Sequence, residues 1–327
     1  MINKRNLEPS FFVKDIPIFG DLVLAPMDGL SDIPFRSLIR SLGSAMSYTE
    51  FINAQDVINQ HPGLDRRLSF YPFERPVVFQ IYDSDPQCLM AAAHILCRHD
   101  PDIFDVNFGC SARSVTHRGA GAALLRNPQK IALIISSLVK QVDRPVTAKI
   151  RLGWDESNLN YLEVAKAIEE SGASLIAVHA RTKVQGYSGR ANWQAIAEIK
   201  QAVGIPVLAN GDVRSVSDIE QIKSITACDG IMIGRAALEN PWIFSRLDRN
   251  LVPIQTVYEF MKHHLAANLE YYGQERGVIL FRKYAKRILA PLNLNHALIT
   301  HLMMVEDAVE LNKMLAEIFN FKTLIFR

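Results

Sequence analysis

Short β-branched runs alternate with longer amphipathic stretches along most of this chain, and that alternation limits the fold more than any other feature. A strand buried on both faces reads as a brief apolar run, whereas a helix resting on a sheet shows apolar residues at 3.6-residue spacing. Strands are predicted over residues 22–25, 45–49, 77–81, 103–106, 146–150, 175–178, 207–209 and 230–233. Helical patterns fall between them, among them 87–98, 128–142, 160–171 and 193–203. Pro128 sits at a helix start and Gly172 and Gly204 follow helix ends, as helix punctuation requires. Eight strands in this order predict a closed (β/α)8 TIM barrel of the α/β class. An open doubly wound sheet would carry G-x-G-x-x-G after its first strand, and Ala25-Pro26-Met27 stands there instead.

From Leu251 onward no β-like run remains, and helices are predicted over 257–272, 278–289 and 305–319. The expected organisation is a barrel domain over 1–250 and an all-helical domain over 251–327. The four cysteines form no C-x-x-C pair, so no metal site is expected. Residues 1–8 are polar and no apolar stretch approaches the ~20 residues of a bilayer span, so a cytoplasmic protein without leader or membrane segment is expected. A net charge of +2 means that any nucleic-acid partner is held by a local patch.

Active sites of such barrels are built where strands end at their C-terminal side. Here the ends read Pro26-Met27-Asp28, Glu50, Gln80, Asn107 with Cys110, Lys149 with Arg151, His179 with Arg181, Asn210-Gly211-Asp212, and Gly234-Arg235. Singly, each has a plain explanation: Lys149 would snorkel from an apolar strand, His179 would be a bonded core residue, and Asn210-Gly211 would be a turn. Eight polar ends converging on one mouth are not explained by solubility. Gly211 and Gly234 fit the phosphate-binding position of many barrels, with Arg235 adding charge. Lys149 and Gln80 suit the electron-rich edge of a reduced flavin, so flavin mononucleotide (FMN) fits both poles. Cys110 joins glycine neighbours, a strand-end position and the nearby cations Arg113, His117 and Arg118.

The motifs Leu24-Ala-Pro-Met-Asp-Gly-Leu-Ser-Asp-Ile-Pro-Phe-Arg36, Phe79-Gln-Ile, Asn107-Phe-Gly-Cys110, Lys149-Ile-Arg-Leu-Gly-Trp154, His179-Ala-Arg-Thr, Gly186-Tyr-Ser-Gly189, Asn210-Gly-Asp212 and Met232-Ile-Gly-Arg235 follow in order. Together they resemble the tRNA-dihydrouridine synthase family. The resemblance implies reduction of the C5=C6 bond of uridines in tRNA, with FMN as cofactor and NADPH as reductant. It implies FMN contacts at Pro26, Met27, Gln80, Lys149, His179, Asn210, Gly211, Asp212, Gly234 and Arg235, with Asp28 beside them. Cys110 would be the proton donor, and Asn107 and Arg181 would hold the uracil edge. The cations near Cys110 would lower its pKa unless RNA phosphates occupy them. Arg282, Lys283, Lys286 and Arg287 share adjacent rows of one predicted helix, and beside such a barrel they read as RNA contacts. Two departures stand out: Ser111 where many members carry proline, which predicts a less constrained loop, and Asp28 where a small residue is common. The alternatives are an FMN barrel acting on a small pyrimidine, a synthase acting on ribosomal RNA, or a non-enzymatic RNA-binding protein. Oligomeric state is open, with a monomer plausible.

Overall fold

The computed structural model describes residues 8–325, so most of the polar segment 1–8 lies outside the described residues. Two compact units emerge, 1–234 and 235–327. The division falls earlier than the change of pattern at Leu251, because the 3-10 turns Arg235–Leu238, Pro241–Ser245 and Arg249–Leu251 belong to the second unit.

The first unit is a barrel of parallel strands with helices between them. Its strands are Leu22–Leu24, a second in two pieces (Ser47–Tyr48 and Ile52–Asn53), Val77–Tyr82, Ile103–Phe108, Val146–Arg151, Ile176–His179, Val207–Asn210 and Gly230–Ile233. Parallel ladders join each strand to the next from the second to the eighth, and the eighth to the first. Between the first and second strands the ring is drawn together by the Ala45 N–H donating to the Leu22 carbonyl at 2.7 Å.

The N-terminal end of the barrel is closed by an unpredicted hairpin, Phe11–Val13 with Ile16–Ile18. Phe11, Val13 and Ile18 pack into one core with Val23, Met46, Val78, Ile103, Leu175 and Leu208, residues from the beginnings of the strands. The open end is therefore the C-terminal one, where the polar strand ends lie. Helices start on side-chain caps: Asp85 accepts from the Gln87 N–H before Pro86–Leu96, and Asn127 from the Lys130 N–H before Pro128–Gln141.

In the second unit, helices Ile254–Tyr272 and Gln274–Leu289 are joined by Gly273 alone, at φ +83°. They pack closely at Gly277, where a Cβ would lie 2.7 Å from the Asn268 carbonyl oxygen. The helix expected over 305–319 is corrected to Ala308–Ile325, with the Asp307 carboxylate accepting from the Glu310 N–H. Val305 instead ends a separate helix, His296–Met304, which Asn295 caps. Among the described residues no helix is long and apolar enough to cross a membrane.

Candidate active site

Cys110 stands just past the fourth strand, in a loop fixed on three sides. The Asn107 Oδ1 accepts from the N–H groups of Gly109 and Cys110, at 3.0 and 2.8 Å. The Arg151 Nε donates to the Gly109 carbonyl at 2.8 Å. The Ala122 N–H donates to the Cys110 carbonyl at 3.0 Å. The loop is held without a proline at position 111, against the slackness that Ser111 alone predicts.

The thiol is half-buried and its pKa is raised. Burial is the largest cause; the Ala112 N–H, Arg151 and Lys149 pull downward, and Asp28 adds to the rise. The expectation that neighbouring cations win is corrected. Arg113, His117 and Arg118 are exposed, where water screens them, and desolvation outweighs the charges closer in. A thiol of this kind is protonated at neutral pH.

Strand alternation places Gln80, Asp105 and Thr147 in one lateral row across strands three, four and five, with Asn107 and Lys149 paired one step nearer the mouth. Gln80 is wholly buried: its Nε2 donates to Asp105 at 2.7 Å and its Oε1 accepts from the Asn107 Nδ2 at 2.9 Å. Its amide thus spans two neighbours inside the barrel. Lys149 Nζ donates to the Asn210 Oδ1 at 3.2 Å, and burial lowers its pKa to about 8, still cationic at neutral pH. An ammonium has three donors, so two remain for a ligand. Asn210 is itself anchored by its Nδ2 on the Met232 carbonyl at 2.7 Å.

Gly211 follows at φ +129°, a conformation that favours glycine, and a Cβ there would lie 2.9 Å from that of Ala191 and 3.3 Å from the His179 ring. Its carbonyl accepts from the Trp193 indole N–H at 2.9 Å. Gly234 follows the eighth strand, with Met27 Sδ 3.5 Å from where a Cβ would stand. Exposed Arg235 is next in sequence and opens the second unit. These residues fit a flat group with an anionic tail: backbone left bare by glycine on one side, a part-buried ammonium on the other.

Two expected ligand contacts are engaged elsewhere. Arg181 is 1% exposed and donates to both Asp212 oxygens at 2.7 Å, to the Ser188 carbonyl and to the Gly189 carbonyl. It ties the loop 182–190 to Asp212. Asp212 also accepts from the Ala191 N–H at 2.8 Å; burial works to raise its pKa, and the bonds from Arg181 and Ala191 bring it below the usual carboxylate range. Asn107 likewise has both ends of its amide engaged, the oxygen on the Cys110 loop and the nitrogen on Gln80. Asp28 now has a place: it pairs with Arg67 at 2.5 Å on the rim, and Arg67 lies 3.8 Å from Glu50.

Three residues have places at the site that the sequence alone did not assign. Asp105 was hidden inside an apolar-looking strand, although the two-residue alternation Asp105–Asn107 marks one inward face. Arg151 is a buried clamp on the Gly109, Thr182 and Gly186 carbonyls. Tyr187 is 61% exposed, its ring 6.1 Å from that of His179 and 5.7 Å from the Arg151 guanidinium. In the second unit, Lys286 and Arg287 are exposed, with Arg287 3.5 Å from Glu239. Arg282 donates to the Val305 carbonyl at 2.8 Å and so caps the helix His296–Met304.

A parallel barrel with a thiol, an ammonium and glycine-bared backbone at its C-terminal mouth defines a barrel enzyme. A model of the dihydrouridine synthase (Dus) family matches residues 23–323, and the chain belongs to that family. It is 40% identical over 279 residues to tRNA-dihydrouridine synthase B of Pseudomonas aeruginosa, covering 83% of this chain and 84% of that one. It is 34% identical over 306 residues to a probable tRNA-dihydrouridine synthase of Aquifex aeolicus, covering 91% and 96%. Among solved structures, a 2-naphthoyl-CoA reductase complex resembles it in fold (TM-score 0.59, 10% identity, 72% of this chain and 51% of that one).

Proposed function

We propose that this protein reduces the C5=C6 bond of uridine in tRNA to dihydrouridine, with FMN at the barrel mouth and NADPH as reductant. The observation that carries the reading is the fixed, protonated thiol of Cys110 at the same mouth as Lys149 and Gly211. The names of the relatives and their coverage support tRNA as the substrate. The family and its tRNA-modifying relatives favour the cytoplasm as its place.

When bound, FMN supplies the hydride that adds to C6 of the uracil ring. Lys149 would hold the electron-rich edge of the ring, while Gly211 and Gly234 would hold the phosphate. Pro26, Met27 and His179 would line the flanks. Cys110 delivers a proton to C5, a general-acid contribution of about 10²–10⁴-fold. Burial favours this role because a thiolate would have no proton to give. The target uridine must leave its stack, or come from a loop, to enter such a mouth. Lys283, Lys286 and Arg287 offer phosphates a basic helix face, with Arg282 supporting the fold beneath it.

The test is incubation of purified protein with an unmodified tRNA transcript, FMN and NADPH, followed by nucleoside mass spectrometry. Dihydrouridine in the transcript is the expected product. Turnover of free uracil or orotate with none in RNA would overturn the reading in favour of a small-pyrimidine enzyme.

A further inference from the structure

A run of hydrogen bonds crosses the barrel interior to the backbone of the Cys110 loop. The Thr147 hydroxyl donates to Asp105 Oδ1 at 2.5 Å, and the Gln80 Nε2 to Asp105 Oδ2 at 2.7 Å. The Asn107 Nδ2 donates to the Gln80 Oε1 at 2.9 Å, and the Asn107 Oδ1 receives the N–H groups of Gly109 and Cys110. An amide side chain has a donor end and an acceptor end of almost the same shape, so its direction is set by the groups that it meets. At the loop end two N–H groups can only donate, and at the far end a group able only to accept fixes the same direction. An ionised carboxylate at 105 demands the NH₂ of Gln80, which turns the Gln80 oxygen to Asn107, which turns the Asn107 oxygen to the loop. Were Gln80 reversed, the Asn107 NH₂ would face two backbone N–H groups, and the loop would lose both bonds.

We infer that Asp105 is a positioning residue, which fixes the direction of the Gln80 and Asn107 amides and, through them, the stance of Cys110. A plain core acid would explain the burial of Asp105, but not why it meets the one amide that leads to the acid loop. An apolar residue fills such a space more readily, since burial raises the Asp105 pKa to about 6 against the bonds of Thr147 and Gln80 and the charge of Lys149. The other side of the same peptide is gripped by Arg151 on the Gly109 carbonyl, so Asn107 and Arg151 pinch Gly109 between them.

The inference rests on Cys110 being the acid. It is tested in the FMN-loaded protein with Asp105→Asn, Asp105→Leu and Asp105→Ala. One readout is the rate of iodoacetamide alkylation at Cys110, followed by peptide mass spectrometry, which needs neither RNA nor turnover. The others are flavin reduction by NADPH and uridine reduction in a single turnover. Asparagine can keep its oxygen toward Gln80 and donate its NH₂ to the Thr147 hydroxyl, so Asp105→Asn should stay within about threefold of wild type in all three. The leucine and alanine variants should shift alkylation about fivefold or more and slow uridine reduction about tenfold or more, with flavin reduction within about twofold. Unchanged alkylation in either apolar variant would overturn the inference. So would an Asp105→Asn protein altered about tenfold in alkylation, which would mean that charge and not direction matters. That second arm decides the case if both apolar variants fail to fold. A wild-type protein that shows the alkylation pattern yet reduces no uridine would refute the proposed reaction and leave the positioning role standing.

Discussion

In the barrel, Asp105, Gln80, Asn107 and Arg151 lie buried and bonded to one another or to loop carbonyls. In the helical unit, His264 and Asn268 are polar residues buried completely. The His264 ring lies 4.6 Å from that of Tyr284, 5.4 Å from Phe281 and 6.1 Å from Phe260, and the Asn268 Nδ2 donates one turn back to the His264 carbonyl. Bonds between strands give direction, and so can aim a thiol. Ring packing gives cohesion without aim. Substitutions in the first region should therefore appear in chemistry, and those in the second in stability.

The sharpest break of that contrast would come from Cys110→Ala. Single-turnover uridine reduction should fall about 10²–10⁴-fold while FMN content and the melting temperature hold. Near-normal turnover would remove the thiol from the reaction. The counterpart is Phe281→Ala, which should cost about 3–5 kcal/mol in urea unfolding of the second unit, because a fully buried ring leaves a cavity. A loss below about 1 kcal/mol would show that ring packing is not what holds this unit.

Acid and base titration sharpen the contrast further. The Asp105 pKa is raised from 3.8 to about 6, so the folded protein keeps a proton that the unfolded chain has released, and this group lowers stability as pH rises through that window. The His264 pKa is lowered from 6.5 to about 3 by burial first and Lys283 second, so the unfolded chain takes up a proton that the folded protein refuses. That group lowers stability as pH falls from 6.5 toward 3. Relative to wild type, Asp105→Asn should steepen acid destabilisation between pH 4 and 6 and His264→Leu should reverse it, each by up to about 1.4 kcal/mol per pH unit. Parallel changes in the two variants, read from urea titrations across that range, would contradict these opposed signs.

The smallest effects concern the basic helix. Lys286→Ala with Arg287→Ala should flatten the salt dependence of RNA binding by about one unit of slope per charge, without altering flavin spectra. Arg282→Ala should leave that slope alone and instead cost about 1 kcal/mol of stability, since its bond is to Val305. Equal salt slopes for the two variants would merge the roles that the structure separates.

The barrel was legible because each strand announces itself locally, and the strands lie within a few residues of their predicted bounds. His179 and Asn210 fall inside strands that run slightly further than their apolar cores. The hairpin 11–18 was not legible: its apolar run is broken by Lys14, which takes φ +57° without being glycine. At the site, residue types were legible but not their commitments. Arg181 looked available until Asp212, 31 residues away, met it with both carboxylate oxygens. Asp28 looked out of place until Arg67 met it. Such pairings are tertiary, and no local pattern carries them.

Gly121, at φ +58°, presses on the acid loop from behind: a Cβ there would lie 2.8 Å from the Cys110 carbonyl oxygen and 2.8 Å from Val115. With Cys110 as the acid facing C5 in the proposed reaction, this close packing would resist a retreat of the loop before a base that is larger at that carbon. On the proposed function, discrimination between uridine and 5-methyluridine would then rest on a backbone contact, not on a pocket wall that a side-chain change could widen. An RNA carrying 5-methyluridine at the modified position should be a poor substrate, and equal rates on both bases would place the size filter elsewhere.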